Sequence, residues 1–195
     1  MRFVDEQGRI LNIYQQPTQL VDEQVIRMPW GLGGADIPVD AAREIAQTLL
    51  QRSLAGTYSA IAAQFHIDPF AIGGDLAAKA GRWLESTLDY AVAQSIPIWS
   101  AAEWLGFTEA RHNATLDQIQ WDPLGQRLSF RLEARPAPGV ELTVMIPSWH
   151  GEARLTQVVV DGLSVKYGER RVGGVSYGWV SIGAGSHSVV AVYKT

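Results

Sequence analysis

The chain has 195 residues, 47% of them hydrophobic and 18% charged, with a formal net charge of −4 and no cysteine. That balance fits a globular protein of one large or two small domains, and no block of basic charge offers a footprint for nucleic acid or an anionic membrane surface. The absence of thiols excludes disulfides, thiolate metal sites and cysteine nucleophiles together.

The first nineteen residues scatter charge and contain no apolar h-region, so no signal peptide is expected within them. No run reaches the roughly 18 apolar residues that a membrane span needs. The compartment stays open: a secreted or cell-envelope location would follow only if the chain is part of a longer protein.

Residues 9–14 read as a strand after a turn at Gln7-Gly8, ending in the polar cluster Gln15, Gln16, Pro17, Thr18 and Gln19. The loop of residues 28–38 carries Trp30-Gly31-Leu32-Gly33-Gly34. No Lys-Ser/Thr follows these glycines and no strand leads straight into them, so a surface loop is expected rather than a phosphate cradle. Residues 40–54 place Ala42, Ile45, Ala46, Leu49 and Leu50 at helical spacing, with Gly56 just past the end.

The stretch YSAIAAQFHID, residues 58–68, is a short apolar run bounded by Gly56 and by Asp68-Pro69. It is too short and unperiodic for an amphipathic helix and predicts a buried strand over residues 58–65, with His66 at its carboxyl end. A second helix is expected over residues 75–94, a compact strand over residues 95–100, and the start of a short helix over residues 101–107. Strand and helix in alternation predict parallel strands joined by crossovers, with ligands and chemistry at the strands' carboxyl ends.

After Arg111 the period changes to two. Leu128, Phe130, Leu132 and Ala134 alternate with Arg127, Ser129, Arg131, Glu133 and Arg135, and Val140, Leu142, Val144 and Ile146 repeat the pattern. Pro136-Ala137-Pro138-Gly139 between them predicts a hairpin, and Gly183-Ala184-Gly185 a second. Further strands are expected over residues 115–121, 155–160, 163–167, 176–182 and 186–193, which together predict a small antiparallel β-sandwich. The expected fold is α/β plus all-β, a parallel (β/α) barrel-like part over residues 1–110 and an immunoglobulin-like sandwich over residues 111–195.

The order of features, a strand ending in His66, a long helix, then Ile96-Pro97-Ile98-Trp99 leading into Ala102-Glu103-Trp104-Leu105, resembles the C-terminal end of the polysaccharide deacetylase-like (NodB-type) barrel. The appended sandwich is similar to accessory domains that follow such barrels in larger bacterial proteins. The resemblance implies that His66 is the general acid on the leaving amine or alcohol, tuned by Asp68 as a neighbour. Tyr14, Gln15, Gln16 and Thr18, with Asp22 beyond, would lie one strand away and line the same cleft. The family also implies a divalent, zinc-like metal on an early Asp and two histidines four residues apart. The four histidines here, His66, His112, His150 and His187, show no such spacing. No cofactor is therefore expected within this chain, and a metal only from an upstream half.

Among the aromatic residues, Trp83, Trp99 and Trp104 read as core, whereas Trp30 and Trp149 are candidates for stacking on sugar rings. The expected partners are a polysaccharide or glycan, and an upstream half or another chain covering the open sheet. Two functions compete: part of an enzyme hydrolysing N- or O-acetyl groups of a polysaccharide, or a non-catalytic carbohydrate- or protein-binding module whose sandwich makes the contacts.

Overall fold

The computed structural model describes residues 2–27, 34–57 and 59–195. The chain divides into two compact units, Met1–Ile98 and Trp99–Thr195.

The first unit opens with strands β1 (Arg2–Val4) and β2 (Ile10–Tyr14), paired antiparallel. The Asp5 carboxylate closes their turn by accepting from the Gln7 and Arg9 N–H groups at 3.0 and 2.8 Å. Strand β3 (Thr18–Val21) leads through a 3₁₀ turn, Asp22–Gln24, toward helix α1 (Val39–Arg52), which ends in a π turn at Ser53–Thr57. Strand β4 (Ala62–Gln64) then runs parallel to β3, with Thr18 opposite Ala62, Leu20 opposite Ala63 and Val21 opposite Gln64. Helices α2 (Asp68–Ile72) and α3 (Gly74–Ala93) complete the unit. Gly73 and Gly74, with φ of 79° and 62°, make the turn between those helices that a side chain would oppose.

Helix α1 buries Ala42, Ala46 and Leu50, and α3 buries Ala80, Trp83, Thr87 and Ala91, each a stripe at helical period. Leu20, Val25 and Ile26 join Ala42, Ala46 and Trp83 in one core. The alanines keep the helix backbones close and the Trp83 indole fills the remaining space.

The expected parallel barrel is not formed among the described residues. Parallel pairing is confined to β3 and β4, and the large sheet of the protein is antiparallel. The strand at residues 9–14 is present as β2, but the Asp5 turn folds it back on β1. Residues 95–100 form no strand: Ser95 adopts φ 55°, Pro97 has no N–H to give a ladder, and Ile98 and Trp99 stay exposed. Alternation of strand and helix fixes element type, and leaves open which strands share hydrogen bonds.

The second unit begins with helix α4 (Ala101–His112), started by a capping box in which Ser100 and Glu103 exchange side chain to backbone hydrogen bonds. Trp99, Trp104 and Phe107 cluster along it with ring centroids 5.3–6.2 Å apart. Strands β5 (Thr115–Asp122), β6 (Arg127–Pro147), β7 (Trp149–His150), β8 (Ala153–Val160), β9 (Leu163–Val165), β10 (Gly168–Val172) and β11 (Val175–Lys194) follow. They build one antiparallel sheet in the order β5-β6-β11-β8-β7, with β10 also on β11 and β9 on β8.

Both expected hairpins are bends inside long strands. β6 and β11 pair from Arg127 opposite Val192 to Pro147 opposite Tyr177. The register jumps where Gly183 faces Glu141 and Ala184 faces Ala137, leaving Pro138, Gly139 and Val140 as a bulge. The Pro-Gly and Gly-Ala-Gly breakers thus lie opposite one another, and the sheet bends at that level instead of turning back.

The bend folds the sheet over a single core. Phe130, Leu132, Val189 and Ala191 come from one half of the long strands, and Val144, Ile146, Val180 and Ile182 from the other. The period-two pattern of β6 is the predicted one. Where the curl closes, Tyr167 Oη donates to the Leu155 carbonyl at 2.9 Å, Arg154 bridges Glu169 at 2.7 Å, and the buried Tyr193 Oη donates to the Pro147 carbonyl at 2.9 Å. Gly178 lies so close under Leu155 that any Cβ there would overlap it.

Tyr193→Phe should destabilise this unit by about 0.5–1.5 kcal/mol, the net worth of one hydrogen bond. Native-state amide exchange in β8 and β11 would read it as faster opening; unchanged exchange would mean that packing alone holds the closure.

Candidate functional site

Two connections leave the same end of the parallel pair. Asp22 is the residue after β3, and His66 stands two residues after β4. Because the strands run the same way in register, both side chains emerge at the carboxyl rim.

Local structure fixes each arm. The Asp22 carbonyl accepts from the Val25 and Ile26 N–H groups at 3.0 and 3.1 Å, which winds the 3₁₀ turn. The chain then returns across it, with Ala35 N–H donating to the Glu23 carbonyl at 2.8 Å and Ile37 N–H to the Gln24 carbonyl at 2.9 Å. At Gly34 the return passes so near the Ile26 carbonyl that a side chain would overlap it. On the other arm Gln19 Oε1 accepts from Ala62 N–H at 2.7 Å, covering the register shift between β3 and β4. Phe65 packs on Trp83 at a centroid distance of 5.2 Å and so fixes the chain just before His66.

The centre of the site is one carboxylate. Asp22 is fully buried, and both its oxygens are occupied by His66: Oδ2 accepts the backbone N–H at 2.8 Å, and Oδ1 lies 2.7 Å from Nδ1. Glu23 Oε1 lies 3.4 Å from the same Nδ1. The imidazole itself is 38% exposed, so its far nitrogen points toward solvent while its near one is held inside. With Nδ1–H given to Asp22, the tautomer and the ring plane are fixed.

The charges reinforce this arrangement. Burial pushes the Asp22 carboxyl upward, but the hydrogen bonds from His66, the contact with Glu23 and the charge of the ring outweigh it and hold the group below its ordinary 3.8. The hydrogen bond to Asp22 raises His66 above its ordinary 6.5 against a smaller effect of burial, with the charges of Asp22, Glu23 and Asp68 adding to the rise. The ring therefore keeps its second proton to higher pH than a free histidine.

Asp68, the expected tuning residue, starts helix α2 as an exposed side chain and acts on His66 through its charge, behind Asp22 and Glu23 in size. Tyr14 ends β2 and Gln16 precedes β3, so both stand at the entry of the strand whose exit carries Asp22. The length of β3 lies between them and Asp22. Trp30 lies outside the described residues. Trp149 begins β7 in the second unit, 54% exposed, with the Arg154 guanidinium 5.8 Å above its ring.

Asp22, expected only as a residue beyond the cleft-lining cluster, and Glu23, which the sequence did not single out, are the carboxylates gathered at His66. The signal was available in part, as an Asp-Glu pair directly after a strand that is followed by a helix and a second strand. Among the described residues, Asp22, Glu23 and His66 are the group whose ligand atoms gather closely enough to hold a cation, all within 4.8 Å of one another. They do not fit the metal centre that the deacetylase resemblance implies. That centre takes two histidines four residues apart, which the chain lacks, and Asp22 already gives both oxygens to His66.

The shifts set a pH window. A lowered Asp22 contributes stability above its ordinary 3.8 that disappears as pH falls through the folded value. A raised His66 contributes stability below its ordinary 6.5 that disappears as pH rises through the folded value. The pair therefore stabilises most between about pH 4 and pH 6.5. Asp22→Asn should remove about 1.5–3 kcal/mol near the middle of that window, the range for a charged hydrogen bond, and less above it. Melts of the two proteins across pH would read the difference, and a constant difference from acid to alkaline pH would contradict it. No protein-family model matches the chain, and no curated protein matches it.

Proposed function

We propose that this chain is the proton-donor portion of a carbohydrate-active hydrolase resembling the polysaccharide deacetylases, removing N- or O-acetyl groups from a polysaccharide. The observation that supports it is the buried Asp22 carboxylate holding His66 by both its backbone N–H and Nδ1, at the carboxyl rim of parallel strands. An imidazole oriented in this way, with its pKa raised above the ordinary value and its Nε2 on the outer side, is suited to general-acid catalysis.

In this reading the protonated ring gives its Nε2 proton to the leaving amine or alcohol as the bond from the acyl carbon breaks. Its electron pair stays on the leaving group and the ring becomes neutral. Asp22 stabilises the imidazolium beforehand and keeps Nδ1–H pointed inward, so that only Nε2 can give up its proton. Glu23 and Asp68 add negative charge that favours the protonated form. Activation of the attacking water, and any metal ligands for it, belong to residues outside this chain.

A second reading, a non-catalytic module that binds glycan or protein, draws on Trp149, whose exposed ring is backed by Arg154. Acetate release from an acetylated polysaccharide, measured with a divalent cation in the complete enzyme that supplies the water-activating residues, discriminates the two. His66→Gln should lower release by about 10²- to 10⁴-fold, the usual worth of a positioned acid, at a temperature where the variant is still folded, because losing the ring also takes the Nδ1–H partner from buried Asp22 and lowers the melt. Equal release by both proteins would retire the acid assignment. For the wild type, the rate should fall as pH rises through the raised His66 pKa, and Asp22→Asn should move that limb to lower pH.

A further inference from the structure

The outer nitrogen of His66 is exposed to solvent but not free. Gln64 closes β4, and residues i and i+2 of an extended chain share a side, so its carboxamide lies back over the imidazole. Gln64 Nε2 stands 3.1 Å from His66 Nε2. The backbone of Gln64 is paired with Val21, the residue before Asp22, so one ladder step places both the carboxylate behind the ring and the amide in front of it.

A carboxamide suits both states of that nitrogen. In the neutral ring, with Nδ1–H given to Asp22, Nε2 holds a lone pair and accepts an amide N–H. When the ring takes its second proton, Nε2–H needs an acceptor, and a half-turn of the carboxamide presents Oε1. Gln64 is itself an exposed residue, and among the described residues its amide is held by the contact with the ring.

We propose that Gln64 is a gate on the reactive nitrogen: its amide occupies the position from which a leaving group has to be protonated, and substrate must displace it. The proposal deepens the reading of His66 as a proton donor and rests on it for what the gate controls. Gln64 is a positioning residue that acts through His66. A substrate that enters has to bring a nitrogen or oxygen able to replace the amide on Nε2. An apolar group would leave that nitrogen without a partner and be rejected.

The gate can be read in this chain directly, with diethyl pyrocarbonate as the probe. The reagent acylates the lone pair of a neutral imidazole, and peptide mass spectrometry reports each histidine separately. In Gln64→Met, similar in length and unable to hydrogen-bond comparably, His66 should react roughly two- to tenfold faster, the span that one exchanged hydrogen bond corresponds to. Rates are compared at equal neutral fraction, taken from the ring-proton NMR titration of each variant, with His112 and His150 as references in the same sample. Gln64→Glu is read by its titration and not by its rate: the His66 titration should move upward, because a carboxylate accepts from Nε2–H and holds the proton. An unchanged His66 rate in folded Gln64→Met overturns the gate, and so does a Gln64→Glu protein in which His66 titrates where it does in the wild type, which would mean that the side chain at this position does not reach Nε2. These outcomes are separable from failure of the acid assignment, which shows as undiminished acetate release in His66→Gln whatever the modification rates.

Discussion

A carboxylate without access to water is tolerable only if its charge is answered on the spot, and in this protein a single residue answers it. Asp22 accepts from the backbone and from the ring of His66, so losing that residue's position would strand a buried charge. The constraint acts in both directions. It fixes where the chain leaves β4, and it fixes which nitrogen of the imidazole faces outward. The parallel register, the 3₁₀ turn, the Phe65 contact with Trp83 and the close return at Gly34 all keep these two residues within hydrogen-bonding distance.

The same arrangement makes the site chemically ordered along one line. Negative charge lies behind the ring, the ring sits at the rim, and the Gln64 amide sits in front. In the proposed reading the layers divide the chemistry among them, with Asp22 orienting the imidazole, His66 carrying the mobile proton and Gln64 occupying the exit. Glu23 stands beside Nδ1 and adds charge without taking the hydrogen bond. A dyad of this kind needs no large cavity to function, because proton transfer depends on alignment over one hydrogen bond.

The second unit solves a different problem. Its sheet has to enclose a core although it is one continuous ladder, and it does so by bending its two longest strands at the same level. Gly139 on β6 and Gly183 on β11 supply the local freedom, Pro138 withholds a ladder N–H, and the hydroxyls of Tyr167 and Tyr193 tie strands brought together by the bend. Residues that read as chain reversal in isolation act as hinges here because the ladder continues past them on both sides. Each helps only because its partner strand is also weakened at that point.

Periodicity by itself determined the helices α1, α3 and α4, the inward faces of β6, and the change from mixed to all-β structure, because burial on one face leaves a repeat that survives in any arrangement. The apolar run before His66 announced a strand, although the one formed is Ala62–Gln64 and is half-buried to exposed, not the buried strand expected over residues 58–65. What periodicity did not contain was pairing: β2 turned back onto β1, residues 95–100 stayed outside any ladder, and two apparent hairpins became bends. These outcomes depend on which distant backbone groups meet, and an amino-acid pattern carries no record of a partner far along the chain. For the same reason the histidine was legible and the aspartate that governs it was underrated, since Asp22 and His66 lie 44 positions apart and meet only when β3 and β4 align.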